Sequence, residues 1–431
     1  MPETQGAKSR SVLISGASIA GPALAYWLDR DGFDVTVVER APAVRSGGSP
    51  IDVRGTAIDV FDRMGLLPRV QAVHIDSREL RFVDAEGRVI GVIPPYDLTN
   101  NQTGRDVELP RGELTTLLYD LTKERPIHYR FNDSIETLED DGSGVEIQFK
   151  SGVCRRYDVV IGADGLHSRT RRLVFGPEDR FNHSLGSCFA IFSMPNDMGL
   201  SHGGVIYGEA GRSAGVFAVR NSKDVFAFLI FASDDPPFGA RPDVQEQYKR
   251  TEAVFAGGGW EVPRLLEAMR RAEDLYSDTV SQTRMPVWSS RRVALVGDAA
   301  YAPSIRSGQG PASRLSAPTC LPVSWRRKPT LQTRLLLMSG SPDRLSKQTK
   351  PWRSKATVTF FCRGRLKRLK RATRSWRASL RGEETACETS IPGSPQHAAP
   401  SRLQPMASSR KSEVRSKSPQ RSAGLRPQPS R

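Results

Sequence analysis

Cysteine is scarce in this chain: there are five in 431 residues, with no CxxC or other close pair. That count and scatter exclude a disulfide scaffold and offer no thiolate metal site, so no metal is expected. Long hydrophobic runs are missing too. The longest apolar stretch, around Val225 to Ala232, is far short of the roughly 20 residues that cross a bilayer as a helix. The first ten residues, MPETQGAKSR, are polar and include an acid, unlike a signal peptide. No HExxH, Ser-His-Asp ordering or nucleophile elbow is apparent. These absences lead to the expectation of a soluble, cytoplasmic protein that stays off the membrane.

Acidic residues are the next shortage, but only in one part of the chain. Residues 1–310 hold 36 basic and 42 acidic residues, a net of −6. Residues 311–431 hold the other 27 basic and only 5 acidic residues, a net of +22. The overall charge of +16 therefore belongs to the tail, and nucleic acid is not expected as a partner of the first part. The tail is rich in Arg, Ser and Pro and has little hydrophobic periodicity, a composition that leaves chain entropy without an offsetting core. A disordered basic tail over 311–431 is expected.

The first part reads as α/β. Ser11–Ser15 (SVLIS) is a short apolar strand, followed by Gly16-Ala17-Ser18-Ile19-Ala20-Gly21 and a helical pattern from Pro22 to Arg30. Val35 to Val38 is a second strand with Glu39 at its end. Gly16 permits the tight turn, and Gly21 permits close helix–strand packing. The helix N-terminus offers N–H groups to a pyrophosphate. Glu39, 23 positions after Gly16, is spaced to accept hydrogen bonds from a ribose hydroxyl. Ser18 stands at the middle glycine position, where its small side chain still leaves phosphate access.

Further along, Gly47-Gly48 leads into an extended segment at Ile51 to Gly55, and a helix runs from Thr56 to Met64. Pro110-Arg111-Gly112-Glu113-Leu114 leads into another helix, Leu114 to Lys123; Arg111 suits a phosphate or flavin contact, or a solvated helix terminus. The strand Tyr157 to Ile161 runs into Gly162-Ala163-Asp164-Gly165, with His167, Ser168 and Arg171 beyond. An acid between glycines suits a ligand contact or a plain turn. From Phe189 to Pro236 the texture is alternating strands with Gly turns, an antiparallel sheet. Helices follow at Val244 to Phe255 and Pro263 to Ala272. A strand from Arg292 to Val296 then enters Gly297-Asp298-Ala299-Ala300, with Gly308-Gln309-Gly310 after it.

Three motifs in this order, GASIAG with Glu39, GADG with Ser168 and Arg171, and GDAA with GQG, resemble the FAD-dependent aromatic monooxygenases of the para-hydroxybenzoate hydroxylase-like type. The resemblance covers residues 11–310. It implies a discontinuous Rossmann-like FAD-binding domain at 1–75, 106–180 and 285–310. A substrate domain with an antiparallel sheet would be inserted at 76–105 and 181–284, and Phe189 to Asp235 would roof the substrate pocket. It implies FAD contacts from Gly16, Ser18, Ile19, Ala20 and Gly21 at the pyrophosphate, and from Glu39, with Arg40 beside it, at the adenosine ribose. Arg111 would lie along the flavin. Asp164 and Gly165 sit in the motif associated with FAD and the nicotinamide cofactor. Asp298 would bind the ribityl and pyrophosphate region, and Gly308, Gln309 and Gly310 would approach the isoalloxazine ring. The implied reaction is hydroxylation of an aromatic or polycyclic small molecule through a C4a-hydroperoxyflavin, with NAD(P)H and O2 as co-substrates. His167 and His202 lie near the implied pocket, as substrate contacts or as structural histidines. Two rival readings stand beside this one. The first is another FAD-dependent oxidoreductase, a halogenase or a reductase. The second is a non-catalytic flavin fold whose basic tail, for instance Arg363 to Lys370, binds nucleic acid.

The chain departs from the family at Ser18, at Ile305 in place of a second proline, and everywhere beyond Gly310. A one-nucleotide deletion near the Gly310 codon is the expected source of the last departure. One choice of synonymous codons for Pro311 to Trp325 (PASRLSAPTCLPVSW), read one base earlier, spells TSLALVGAYVLAGEL. That is an apolar helix of the kind the family places after its glycine loop. Resequencing the gene across the codons for Gly308 to Ser316 is expected to show the missing base; a clean read with no neighbouring frame that encodes the helix would contradict the frameshift.

Overall fold

The computed structural model describes residues 9–45, 47–94, 106–219, 222–234 and 244–304. The expectations for Ile305, Gly308, Gln309, Gly310 and the tail lie outside the described residues. In chain order the first elements are Ser11–Ser15 (β1), Ala20–Arg30 (α1), Asp34–Val38 (β2), Pro50–Val53 (β3), Thr56–Arg63 (α2) and Leu67–Ala72 (α3). Glu79–Val83 (β4), Val89–Ile93 (β5), Val107–Pro110 (β6) and Arg111–Lys123 (α4) follow. Ile127–Arg130 (β7), Ile135–Asp140 (β8), Val145–Phe149 (β9), Cys154–Tyr157 (β10), Val159–Gly162 (β11), Arg169–Phe175 (α5) and a 3-10 turn at Glu178–Arg180 come next. The remainder is Asn182–Pro195 (β12), Gly203–Glu209 (β13), Arg212–Ala218 (β14), Asp224–Ala232 (β15), Val244–Phe255 (α6), Val262–Arg271 (α7), Tyr276–Thr283 (β16), Ser289–Ser290 (β17), Val293–Leu295 (β18) and Asp298–Tyr301 (α8).

Two sheets organise these elements. The first has the order β17-β18-β11-β1-β2-β7 and is parallel except at the β17–β18 edge. Its central strands are apolar along their length because both faces are covered; Val12, Leu13, Ile14, Val159, Val160 and Ile161 are fully buried. The chain leaves β1 for β2 on one side and returns to β11 on the other. β1 and β11 therefore flank a topological switch point, and their C-terminal ends open a crevice of the kind that binds ligands in such sheets.

The second sheet has the order β16-β12-β15-β14-β13-β4-β5. It is antiparallel except where β4 lies parallel to β13, so the segment from Glu79 to Ile93 enters the same sheet as the strands that follow Asn182. Alternation divides its faces. Cys188, Ala190, Phe192 and Met194 of β12, with Val225, Ala227, Leu229 and Phe231 of β15, pack into one core with Phe255, Val262, Leu265 and Met269 of α6 and α7. Together the sheets give a Rossmann-like nucleotide-binding fold with an inserted, largely antiparallel β-sheet unit.

Several elements differ from the sequence expectation. α4 starts at Arg111 itself, with Pro110 as its N-cap residue. The strand expected at Tyr157–Ile161 is divided: Tyr157 ends β10, which pairs antiparallel with β9, and Val159 begins β11 in the parallel sheet. Pro22 falls within the first turn of α1, which starts at Ala20; proline's missing N–H costs nothing there. No helix among the described residues is long and apolar enough to cross a membrane.

Candidate cofactor site and the facing aromatic sheet

The parallel strands end in a staircase of backbone hydrogen bonds. The N–H of Gly16 donates to Val38 O at 2.8 Å, that of Ala163 to Ser15 O at 2.8 Å, and that of Val296 to Gly162 O at 2.9 Å. The three loops foreseen from the motifs are thus bonded to neighbouring strand ends. They also touch through backbone. A Cβ on Gly16, whose φ is +111°, would stand 2.5 Å from Ala163 O, and one on Gly21 would stand 1.9 Å from Gly16 O. No side chain fits at either position, so the helix and both loops close to backbone contact.

This arrangement suits a dinucleotide. α1 begins with no side-chain cap and no acidic residue in its first turn, leaving positive N-terminal dipole and free donor capacity toward a phosphate. Ser18, Ile19 and Ala20 occupy that entrance. Glu39 lies at the end of β2. Its Oε2 accepts from Ala17 N at 2.9 Å and its Oε1 from Ala41 N at 3.0 Å. A carboxylate accepts about four hydrogen bonds, so capacity remains for ribose hydroxyls. Arg40, next along, is exposed. Arg111 donates through Nη2 to Ser18 Oγ at 3.3 Å, and its backbone N–H donates to Ser49 O at 3.3 Å. Its stem packs on Gly48, whose φ is +124°. The structure therefore brings Arg111 to the glycine turn, and the Gly47-Gly48 loop joins them.

Asp164 has work inside the chain. Its Oδ1 accepts from Ser168 Oγ at 2.5 Å, and its Oδ2 accepts from Thr170 N and Thr170 Oγ1, each at 2.9 Å. Ser168 in turn caps α5 by accepting from Arg171 N at 2.9 Å. Gly165 (φ +85°) has open space where a Cβ would stand. Arg171 is almost wholly buried, and burial pulls its pKa below the ordinary value. It donates to Ala299 O at 3.0 Å and to Leu166 O at 2.6 Å, tying the second motif to the third. Asp298 begins α8 after Gly297 (φ +64°), and its backbone O accepts from Thr283 Oγ1 of β16 at 3.1 Å.

Both histidines make contacts within the chain. His167 lies between Glu178 and Asp278. His202, at a left-handed turn (φ +52°), has Nδ1 3.2 Å from Asp76 O. Neither Glu178 nor Asp278 belongs to a sequence motif. A G-x-S-x-G spelling occurs at Gly211 to Gly215. Ser213 there sits inside β14 and donates to Tyr207 O at 2.9 Å, so it is no nucleophile elbow, which needs a strand-to-helix turn. Among the described residues no cluster is arranged to hold a metal.

The inserted sheet turns its other face toward these loops. Asp278 is the cross-strand partner of Phe189, and Phe189 of Ile230; directly paired residues share a face. The next rows on that face are Tyr276, Ile191, Phe228 and Gly215, then Ser193, Phe226, Phe217 and Gly204. Phe228 crosses Gly215, where a Cβ would meet its ring at 2.4 Å, and Phe217 crosses Gly204, at 2.5 Å. The two rings stack with centroids 5.3 Å apart and planes 23° apart. Because Asp278 reaches His167, this aromatic face is the one turned toward the GADG loop.

The Asp164 cap gives a direct test. Asp164→Asn keeps the shape and removes the charge that holds Thr170 and Ser168. It is expected to lower unfolding free energy by about 1–2 kcal/mol in urea titration; a loss no larger than the roughly 0.5 kcal/mol of an ordinary surface change would show that the carboxylate does not carry the cap.

Residues 9–312 match the family described as FAD binding domain. The chain is 44% identical over 306 residues to the uncharacterized protein Rv1260 of Mycobacterium tuberculosis, covering 70% of this chain and 81% of that one. It is 38% identical over 311 residues to a flavin-dependent monooxygenase from an unknown prokaryotic organism, covering 72% and 78%. Among solved structures it resembles the tetracycline destructase Tet(55), at 35% identity and a TM-score of 0.69, covering 77% of this chain and 84% of that one. Klebsiella pneumoniae HpxO, solved with FAD and uric acid, shares the fold at 20% identity and a TM-score of 0.64, covering 87% and 93%. With its glycine cradle, its three bonded loops and these relatives, the chain belongs to the FAD-binding family of flavin-dependent monooxygenases.

Proposed function

We propose that this protein hydroxylates an aromatic or polycyclic small molecule, using NAD(P)H as reductant and O2 as oxidant. The observation that carries the reading is the opposition of two surfaces: the glycine-lined ends of β1, β11 and β18, and the aromatic face of the inserted sheet. Gly16, Ser18, Ile19, Ala20 and Gly21 would hold the FAD pyrophosphate at the start of α1. Glu39, flanked by Arg40, would accept the adenosine ribose hydroxyls. Arg111 would run along the cofactor from its seat beside Ser18. Asp164 and Gly165 would shape the loop next to Gly16, and Asp298 with the start of α8 would meet the ribityl and pyrophosphate oxygens.

When bound, FAD supplies the redox chemistry, accepting a hydride from the nicotinamide and activating oxygen. The chain's own contribution is binding, orientation and exclusion of water. Phe217 and Phe228, flat on the sheet over glycines, offer a planar ring an offset-stacking surface. Ile191, Phe226 and Ile230 on the same face keep the space above it apolar. The substrate class rests on this face.

The family match ends at residue 312, two positions past Gly310, where the proposed frameshift begins. The chain as written is therefore expected to hold FAD weakly and turn over slowly, and a version with the frame restored after Gly310 is expected to recover both. NAD(P)H oxidation and oxygen uptake should be followed with FAD present across a set of phenols and polycyclic phenols. The restored chain is expected to consume both co-substrates severalfold faster with a matching phenol and to release a hydroxylated product. Flavin bound with no phenol stimulating oxygen uptake would contradict the hydroxylase reading and favour a reductase or halogenase.

A further inference from the structure

We infer that His167 is a positioning residue: it clasps β16 of the aromatic sheet to the loop carrying Asp164, so that the substrate-facing sheet and the cofactor-facing loops keep one separation. The positioning role rests on the proposed reading of those two surfaces; the clasp itself does not.

The geometry is a bridge of one histidine between two carboxylates. Nε2 of His167 lies 2.9 Å from Asp278 Oδ2, and Nδ1 lies 2.6 Å from Glu178 Oε1. Only the imidazolium donates from both ring nitrogens at once. Both carboxylates are held by further bonds, Glu178 through the first residue of β12 as well as beside α5. Asp278 accepts from Tyr276 OH at 2.7 Å and from Thr279 N at 2.7 Å, both on β16. Glu178 accepts from Asn182 Nδ2 at 3.0 Å and stands 3.8 Å from the Arg171 guanidinium. The charged groups that act on the ring are Asp278 of β16 and Glu178 of the 3-10 turn; Tyr276 of β16 bonds Asp278, and Arg171 of α5 stands beside Glu178.

The segment from Asp164 to Arg171 carries the consequence. At one end, the Cα of Asp164 lies 3.1 Å from where a Cβ on Gly16 would stand. At the other, Arg171 holds Ala299 of the third motif. His167 sits between them, at the point where the segment meets the aromatic sheet. A shift of β16 relative to this loop therefore acts on two of the cofactor loops together.

Charge sets the strength of the clasp. The hydrogen bond to Asp278, and next that to Glu178, raise the His167 pKa from its ordinary 6.5 to about 9. A histidine whose pKa is raised on folding contributes its full stabilisation below its unfolded pKa. That contribution fades as pH rises through the folded value, so the clasp is closed at neutral pH and releases as pH passes about 9.

The test uses the full chain without added flavin, so it is independent of turnover. Histidine rings are titrated by NMR with labelled histidine. Backbone exchange of peptides covering residues 163–170 and 276–283 is followed by mass spectrometry from pH 7 to 10.5, corrected for the intrinsic rate. One ring is expected to titrate near 9, to vanish in His167→Gln, and to move back toward 6.5 in Asp278→Asn. Both peptides are expected to loosen together through the same pH range in the wild type. In His167→Gln both should be loose throughout, with no step. A His167 ring titrating near its ordinary value would overturn the proposal, as would a wild-type β16 without the pH step; the second outcome needs no variant at all. If the clasp appears and the restored-frame chain still hydroxylates nothing, the functional reading fails and the clasp stands.

Discussion

Backbone lies directly on backbone where α1, β1 and β11 meet, and the site depends on that closeness. Gly16 and Gly21 have no room for a Cβ because the Gly16 carbonyl and the Ala163 carbonyl occupy those positions. Neighbouring strands are spaced by their hydrogen bonds, but loops beyond strand ends usually diverge. Here three backbone bonds continue past the ends of β2, β1 and β11 and keep the loops together. The start of α1 is brought down to the sheet edge with its first-turn donors facing the crevice. The placement of Glu39 and Arg111 follows, since each is bonded to a residue of the same turn.

The GADG segment extends this order outward. Asp164 closes a local ring of hydrogen bonds with Ser168 and Thr170, Arg171 crosses buried ground to Ala299, and His167 reaches the second sheet. Eight residues thus connect the glycine turn, the GDAA loop and the aromatic face. An acid expected to serve the cofactor spends its hydrogen-bonding capacity first on shaping the loop. Positioning and binding are joined here: a loop whose side chains are satisfied internally presents its backbone in a fixed form to a ligand.

The parts legible in the sequence were those with a strong period or a backbone demand. The glycine turn, α1 and the acid at the end of β2 follow from steric need at Gly16 and Gly21. The strands from β12 to β15 follow from alternation that a sheet buried on one face and half-buried on the other requires. β16 carries little hydrophobic signal in its sequence, YSDTVSQT. Thr279, Ser281 and Thr283 are buried hydroxyl residues, so burial does not appear as hydrophobicity. β4, β5 and the β8–β10 meander were also passed over; β9 alternates plainly but spans only five residues. The partners of His167 were invisible for another reason. Asp278 lies 111 positions away, and no local spacing encodes a contact made by packing two sheets. The GDAA motif revealed an acid and small residues, but not that Arg171 would fasten it.

The proposed flavin site is a Cβ-free backbone cradle beneath α1, and FAD titration of Gly21→Ala puts it to the test. In a frame-restored chain, quenching of flavin fluorescence measures affinity while far-UV circular dichroism reports whether the sheets survive. A retained fold is expected, with FAD affinity lower by on the order of a hundredfold, about 2.7 kcal/mol, because the added methyl has to push α1 away from Gly16. Unchanged affinity in a folded Gly21→Ala protein would contradict it.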